Sequence, residues 1–260
     1  ITPEWFYKHV KNRLCLENGL LSQIAGLWID SHGWFAQSAL CQERHFDEEP
    51  DLKNINKLRQ IVKERFGWVL FEKQLIKRID GPILYAVQKK DDMPCRYFFP
   101  KATEGMDSIE SGLNILSKYC PDGDVLIRPH PRGTRQWKQN EEKYLKYFRK
   151  SWEVDFSRDV YELLPRCSSL ITINSTLANE ALSLGIPVAT IGDSAFTGSH
   201  VTLECSSNPE LLLDLPKFRF NQKKALKYLC AVVRHQVDYD ATTEDVALNQ
   251  EFQTWAKKIQ

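Results

Sequence analysis

The sequence predicts an α/β protein built around a doubly wound, Rossmann-type parallel sheet. Between residues 81 and 191, short apolar runs rich in β-branched residues alternate with segments of helical periodicity. The runs at 83–87, 125–127, 170–173 and 188–191 are almost entirely apolar, which is typical of strands covered on both faces. Polar residues follow these runs directly. In open parallel sheets, ligands bind beyond this carboxyl edge of the strands.

Composition narrows the class of protein. A chain of 260 residues forms one large or two modest domains, and a net charge of +1 gives no reason to expect nucleic acid as a partner. No apolar stretch approaches the roughly 18 residues of a membrane span, and no signal-peptide pattern opens the chain. We therefore expect a cytoplasmic protein, peripheral to a membrane only through missing parts or partner proteins. Since the chain opens at Ile1 without Met, we expect a piece of a longer protein.

Seven cysteines are scattered along the chain without a C-x-x-C pair. This pattern predicts reduced, structural thiols, and neither a disulfide framework nor a cysteine zinc site. Apolar residues at helical spacing also predict an amphipathic helix from residue 52 to 66, closed by Gly67. Further predicted elements are a strand at 154–156 and helices at 108–119, 137–150, 159–164, 209–215, 221–236 and 243–259.

The first candidate site follows the apolar run at 170–173. Asn174, Ser175 and Thr176 stand where a helix begins, and Gly185 with Pro187 ends that helix before the next strand. The N–H groups and dipole of a helix N-terminus favour an anion, so the hydroxyls of Ser175 and Thr176 are predicted to face a phosphate. The alternative is that these residues only cap the helix.

A second candidate is the rigid R-P-H-P loop at residues 128–131, which follows the run at 125–127. Two prolines hold this backbone extended and fix the neighbouring side chains. Imidazole and guanidinium groups together suit phosphate recognition. The loop therefore predicts that His130 and Arg128 bind a phosphate.

Carboxylates supply the remaining candidates. Asp91 and Asp92 follow Gln88 at the end of the run at 83–87, and either aspartate is a candidate working carboxylate. Glu17 is predicted to enter a turn with Gly19 after a strand at 13–16. A solvated loop is the alternative in each case.

Five segments, in order, resemble elements of the capsule polysaccharide biosynthesis family, whose characterised members are bacterial β-Kdo glycosyltransferases that use CMP-Kdo. Residues 17–21 (ENGLL) are similar to E-[DN]-G-[FL]-L, 88–92 (QKKDD) to Q-x-x-x-D, 128–131 (RPHP) to [KR]-P-H-P, 175–182 (STLANEAL) to T-S-x-x-x-x-E-A-L, and 192–198 (GDSAFTG) to G-x-x-F-Y-x-G. The Ser and Thr are shifted by one place, and Thr197 replaces the Tyr. Met93 and Pro94 replace the usual small residue and Ser, which leaves open which aspartate is the acidic residue of the motif.

The resemblance implies a GT-B-like fold and a retaining transfer of Kdo to a glycan or glycolipid acceptor. It implies catalytic roles for Asp92 or Asp91, as a nucleophile that forms a covalent Kdo adduct, and for Glu17 as acid/base or acceptor-orienting group. The residues that it implies for nucleotide-sugar binding are Gln88, Arg128, His130, Pro131, Asn174, Ser175, Thr176, Glu180 and Phe196. No metal or cofactor is expected in the reaction, because CMP carries a single phosphate.

The resemblance also implies a domain division. Residues 1–78 would be the end of an acceptor-side domain, 79–235 the Rossmann-type donor domain, and 236–260 a helix packing back on the first domain. Three other functions stay open: a different CMP-sugar transferase of sialyl type, a GT-B enzyme with a uridine-nucleotide or polyol-phosphate donor, and a non-catalytic module of a capsule assembly complex.

Overall fold

The protein is described by a computed structural model over residues 15–18, 21, 26–32, 35–75, 81–99, 105–156, 159–238, 246–247 and 249–259. The chain forms two compact units. Unit 1 comprises residues 1–70, 195–199 and 221–260, and unit 2 comprises 71–194 and 200–220. No helix in the described ranges has the length and apolar character that crossing a membrane requires.

The strands, in chain order, are β1 (Cys15–Asn18), β2 (Gly26–Asp30), β3 (Ile83–Ala86), β4 (Val125–Arg128), β5 (Trp152–Val154), β6 (Ser169–Thr172), β7 (Val188–Thr190), β8 (Leu203–Glu204) and β9 (Gln236–Asp238). The α-helices are α1 (Ala39–Gln42), α2 (Leu52–Phe66), α3 (Met93–Tyr97), α4 (Ser108–Tyr119), α5 (Thr134–Gln139), α6 (Glu141–Leu145), α7 (Val160–Leu163), α8 (Leu177–Leu184), α9 (Gln222–His235) and α10 (Gln250–Ile259). Short 3₁₀ helices lie at Phe35–Gln37, His45–Asp47, Glu72–Leu75, Pro131–Gly133, Leu164–Arg166 and Pro209–Asp214.

Unit 2 is built on a sheet with the strand order β5-β4-β3-β6-β7-β8, and every pairing recorded between these strands is parallel. This is the order of a doubly wound Rossmann-type sheet. The strands β3, β6 and β7 are buried at every position, which explains their largely apolar sequences. The predicted fold class is confirmed.

Most predicted helices of unit 2 form, but the predicted helix at 137–150 does not. Two short helices, α5 and α6, replace it and meet at Asn140, which has the non-helical angles φ −123° and ψ 16°. Trp137 and Tyr144 are both fully buried, with ring centroids 5.0 Å apart. The break between the helices lets both aromatic rings enter the core. The segment at 209–215 is a 3₁₀ helix, and the strand predicted at 154–156 is β5, two residues earlier.

Unit 1 holds an antiparallel sheet of order β1-β2-β9 together with α1, α2, α9 and α10. The predicted helix at 52–66 is α2, and its ends follow the sequence signals: Asp51 caps the first turn, and Gly67 ends the last turn at φ +68°. Helix α9 belongs to unit 1. Its buried face, which includes Leu229 and Val232, packs on α2 and on the 3₁₀ helix His45–Asp47.

Helix α4 packs closely on β3 at Gly112, which lies against the side chain of Tyr85. A methyl group at Gly112 would collide with the Tyr85 hydroxyl, which is fully buried and has no hydrogen-bond partner among the described residues. Gly112→Ala is therefore expected to lower the free energy of unfolding by about 1–3 kcal/mol, although alanine favours helices. Chemical denaturation measures this.

The matched control is the double variant Gly112→Ala with Tyr85→Phe. Removing the hydroxyl makes room for the new methyl group, so the double variant should recover most of the lost stability. Equal stability of Gly112→Ala and the parent would contradict the packing described for these two residues.

Candidate functional site

Four polar or glycine positions lie next to one another at the carboxyl edge of the unit 2 sheet. The last residues of β3, β4, β6 and β7 are side by side in the strand register. Two positions beyond those strand ends stand Gln88, His130, Asn174 and Gly192. The parallel sheet thus brings together residues from three of the five segments singled out in the sequence, with Asn174 directly before a fourth.

The strand order places this edge at a topological switch point. From β3 the chain proceeds through β4 to β5 on one side, and then returns to the other side of β3 with β6. Loops after β3 and β6 therefore lead away from each other, and ligands of doubly wound folds bind in the crevice between such loops. Gln88 and Asn174 begin the two loops that flank this switch point.

Gln88 and Asn174 form a buried, two-way amide pair. The Gln88 Nε2 donates to Asn174 Oδ1 at 2.8 Å, and the Asn174 backbone N–H donates to Gln88 Oε1 at 2.9 Å. The Thr172 hydroxyl lies 3.4 Å from the same Gln88 oxygen and accepts from the Ser175 N–H at 3.2 Å. Both amide side chains are at most 6% exposed. Their hydrogen bonds are internal, so they position the loops around the crevice.

The Asn174 side chain also fixes the segment after β3. Its Nδ2 donates to the Pro94 carbonyl at 2.9 Å and to the Asp193 carbonyl at 3.2 Å. In addition, the Asp193 N–H donates to the Phe98 carbonyl at 2.7 Å. Gly192 permits this approach, because a Cβ there would stand 2.7 Å from the Phe98 oxygen. The loops after β3, β6 and β7 are thereby held together.

His130 is half-buried and has a defined tautomer. Its Nδ1 accepts a hydrogen bond from the Arg132 N–H at 3.1 Å, so the proton of the neutral ring sits on Nε2. Burial lowers the pKa of His130 from 6.5; the Asp92 charge opposes this shift, while Lys89 and Arg132 add to it. At neutral pH the ring is therefore a neutral Nε2–H donor in surroundings that carry two cations.

The two aspartates after Gln88 differ in their surroundings. Asp91 is exposed, and its Oδ2 accepts from Gln136 Nε2 at 3.4 Å. Asp92 is half-buried at the N-cap of α3 without a side-chain capping bond, and its charge acts on His130. Only Asp92 is thus coupled electrostatically to the imidazole.

At the helix start after β6, Ser175 forms a local turn. Its Oγ accepts from the Leu177 N–H at 3.3 Å, and its carbonyl accepts from the Ala178 N–H at 3.2 Å. The Ser175 hydroxyl hydrogen remains available to a ligand, because the capping bond uses only an oxygen lone pair. Thr176 is the N-cap of α8, makes no side-chain capping bond, and is half-buried.

Three other predicted site residues, Arg128, Pro131 and Glu180, contribute to the local structure around the site. The Arg128 Nη1 donates to the Asp155 carbonyl at 3.0 Å, which ties β4 to the end of β5. Pro131 is exposed and begins the 3₁₀ helix that His130 caps. Glu180 is buried in the first turn of α8. Burial raises the pKa of Tyr161, and the Glu180 charge raises it further, so these two groups are close.

Glu17 and Phe196 belong to unit 1. Glu17 lies inside β1, opposite Trp28 in the antiparallel register with β2, so the predicted turn at this residue is wrong. The ring of Phe196 is 1% exposed, and its centroid lies 5.3 Å from that of Tyr228. Phe196 is therefore a core residue of unit 1.

Three contributors to the site were not predicted. Thr172 and Cys95 complete the buried network around Asn174, and Lys89 is one of the cations that act on His130. Thr172 ends an apolar strand and Cys95 follows a proline, so neither carried a sequence signal for this role. Lys89 stands in the segment QKKDD, whose resemblance to Q-x-x-x-D leaves this position unspecified.

The charge coupling between Asp92 and His130 generates a prediction. Asp92→Asn removes the carboxylate that raises the pKa of His130, so this pKa should fall further below its ordinary value. Asp91→Asn should leave it unchanged. An NMR titration of the imidazole signals, assigned with His130→Gln, measures both shifts. An equal effect of the two variants would contradict the orientation described here.

Comparison with known proteins agrees with this architecture. The family model described as "Capsule polysaccharide biosynthesis protein" matches residues 46–238. Among solved structures, the β-Kdo 2,7 transferase of Thermosulfurimonas dismutans KpsC is similar, with a TM-score of 0.56 and 16% identity over 83% of this chain and 67% of that chain.

The β-Kdo 2,4 transferase of the same KpsC is also similar, with a TM-score of 0.51 and 17% identity over 83% of this chain and 70% of that chain. At these identities the likeness concerns the fold. No curated protein sequence matches significantly. Since the family model covers most of the chain, including the loops after β3, β4, β6 and β7, the protein belongs to the capsule polysaccharide biosynthesis family.

Proposed function

We propose that this chain is a retaining glycosyltransferase that transfers Kdo from CMP-Kdo to a glycan or glycolipid acceptor. The observation that carries the proposal is the coupling of His130 and Asp92 beside the Gln88–Asn174 pair, at the switch point of the sheet. Membership of the capsule family and the fold shared with two β-Kdo transferases support it.

The CMP phosphate would bind between the R-P-H-P loop and the start of α8. The neutral His130 Nε2–H, the Ser175 hydroxyl and the Thr176 hydroxyl are its proposed donors. Lys89 and Arg132 supply positive charge, and the dipole of α8 adds to it. These groups stabilise the charge that develops on CMP as it leaves, and Pro131 and Arg128 hold the loop that carries His130.

Asp92 is the proposed nucleophile. Its carboxylate would attack the anomeric carbon of Kdo, form an ester-like bond to that carbon, and release CMP with the bonding electron pair. The acceptor hydroxyl would then lose its proton to a base and displace Asp92 from the same carbon. Two displacements restore the original configuration, as in retaining glycosidases. Glu180 would approach the ribose hydroxyls.

Nucleotide binding tests the donor class. CMP should raise the melting temperature of the protein, whereas UMP and UDP should not. At a CMP concentration of one hundred times Kd, the expected stabilisation is about 2.7 kcal/mol. His130→Ala should lose most of this stabilisation while its melting temperature without nucleotide stays near that of the parent.

Lys118→Ala, on the exposed end of α4, is the control and should respond to CMP like the parent. Stabilisation by a uridine nucleotide would favour the other GT-B donors, and stabilisation by none would favour a non-catalytic module. If CMP-sialic acid were turned over and CMP-Kdo were not, the sialyl-type transferase would replace the present proposal.

The covalent step has its own test. After incubation with CMP-Kdo and without acceptor, intact mass spectrometry should find one added Kdo, and peptide mapping should place it within residues 88–96. Asp92→Asn should abolish the adduct. The neighbouring Asp91→Asn is the matched control and should retain it. An adduct on Glu17, or inversion at the anomeric carbon, would refute the assignment.

A further inference from the structure

Unit 1 contains a buried cluster of histidines and carboxylates that the proposed transfer reaction does not use. The cluster consists of Asp30, Glu43, His45, His235 and Glu251, and we call it the His–Glu cluster. Its members come from the end of β2, the segment after α1, the 3₁₀ helix at 45–47, the last turn of α9 and the first turn of α10. Four of the five are at most 6% exposed, and Glu43 is the exception.

Three atoms at the centre of the cluster form a nearly regular triangle. His45 Nδ1 lies 2.9 Å from His235 Nε2, and both lie close to Glu251 Oε1, at 3.6 Å and 3.7 Å respectively. Ligand atoms around a tetrahedral Zn²⁺ with bonds of about 2.0–2.1 Å stand roughly 3.3 Å apart. The triangle therefore has the dimensions of three sides of such a site, with a fourth position left for water or another ligand.

In each ring one nitrogen faces the centre of the triangle (His45 Nδ1 and His235 Nε2) and the other faces outward. The protonation of the outer nitrogen decides whether the inner nitrogen of a neutral ring carries a proton or a lone pair. His45 Nε2 lies 2.9 Å from Glu43 Oε2, so this nitrogen carries a proton and donates it to the carboxylate. His235 Nδ1 lies 3.5 Å from Asp30 Oδ2 and is buried without a hydrogen-bond partner among the described residues. The inner nitrogens, His45 Nδ1 and His235 Nε2, are hydrogen-bonded when His235 carries its proton on Nε2. With the His235 proton on Nδ1, beside Asp30, both inner nitrogens offer lone pairs that a shared cation would accept.

The carboxylate of Glu251 also lies where a cation would stabilise it. Its Oε2 accepts from the Ser31 hydroxyl at 2.7 Å and from the Ser31 N–H at 3.2 Å. Its Oε1 has the two imidazole nitrogens as neighbours, at distances too long for hydrogen bonds. Within the described ranges no Lys or Arg forms an ion pair with Glu251, although its side chain is 2% exposed. A buried carboxylate requires a compensating positive charge.

We propose that His45 Nδ1, His235 Nε2 and Glu251 Oε1 bind a divalent transition metal, with Zn²⁺ as the expected ion. Two imidazoles and a carboxylate are donors that suit zinc, and Glu43 and Asp30 behind the rings are the carboxylate–histidine pairs that orient zinc ligands. The metal joins the 3₁₀ helix at 45–47 to the ends of α9 and α10. Its role is structural, within unit 1, and is independent of the transfer reaction.

Metal content tests the proposal directly. The full chain, purified without a histidine tag and dialysed against metal-free buffer, should retain about one zinc ion by elemental mass spectrometry. His45→Asn and Glu251→Gln, which preserve side-chain size and polarity, should lose it. His200→Asn, at an exposed histidine of unit 2 whose φ of +58° asparagine tolerates, should retain it.

Melting temperature and absorption spectroscopy of the parent protein test the proposed metal site even where a variant folds poorly. A strong chelator should lower the melting temperature of the parent, and ZnCl₂ should restore it. CoCl₂ added to the metal-free parent should give the intense visible absorption of four-coordinate Co²⁺. Glu43→Gln should weaken zinc binding about 10- to 100-fold while the fold is kept. Glu49→Gln, at an exposed glutamate of the same unit, should not.

The proposal is overturned if the parent carries no zinc, gains no stability from ZnCl₂ and gives no cobalt spectrum. In that case a hydrogen bond between His45 Nδ1 and His235 Nε2 holds the two rings together without a metal. Such a protein would show a strongly downfield imidazole proton by NMR.

Discussion

The reciprocal hydrogen bonds between Gln88 and Asn174 are the constraint on which the candidate site depends. They cross the point where the sheet changes direction, and there the backbone ladder alone does not hold the outgoing loops. A buried amide that loses its partner costs about 1–3 kcal/mol, so this pair resists any rearrangement of the loops after β3 and β6. Asn174 extends the restraint to Pro94 and Asp193. His130 and Asp92 lie outside these hydrogen bonds, on the loops after β4 and β3.

The unit 2 sheet could be predicted because each of its central strands is buried on both faces. The apolar runs of β3, β4, β6 and β7 admit few other structures, and the capping residues and glycines marked the helix ends. The helix predicted at 137–150 was wrong because periodicity does not reveal that Trp137 and Tyr144 must both enter the core. Likewise, local sequence did not reveal that α9 packs on α2, since that contact joins distant segments.

The candidate site was predicted at the level of loops and only partly at the level of atoms. Strand-end position located Gln88, His130, Asn174 and Asp92, because parallel strands bring their carboxyl ends to one edge. It did not indicate that the side chains of Gln88 and Asn174 hydrogen-bond to each other. Nor did it indicate that the Arg128 side chain donates a hydrogen bond to the Asp155 carbonyl. The His–Glu cluster could not be predicted from the sequence, because His45 and His235 are 190 residues apart and do not match the short spacings of known metal-binding motifs.

The division of the chain has a consequence for biosynthesis. Strand β2 pairs with β9, and Leu21 exchanges hydrogen bonds with the Gln236 side chain, so the first seventy residues complete their sheet only with the last segment. Proteins commonly fold from the N-terminus as they emerge from the ribosome. Here the order is reversed: all residues of unit 2 have been synthesised at residue 220, while unit 1 still lacks a strand. Until β9 is made, the edge of β2 that pairs with it stays open, and an open strand edge can pair with another chain.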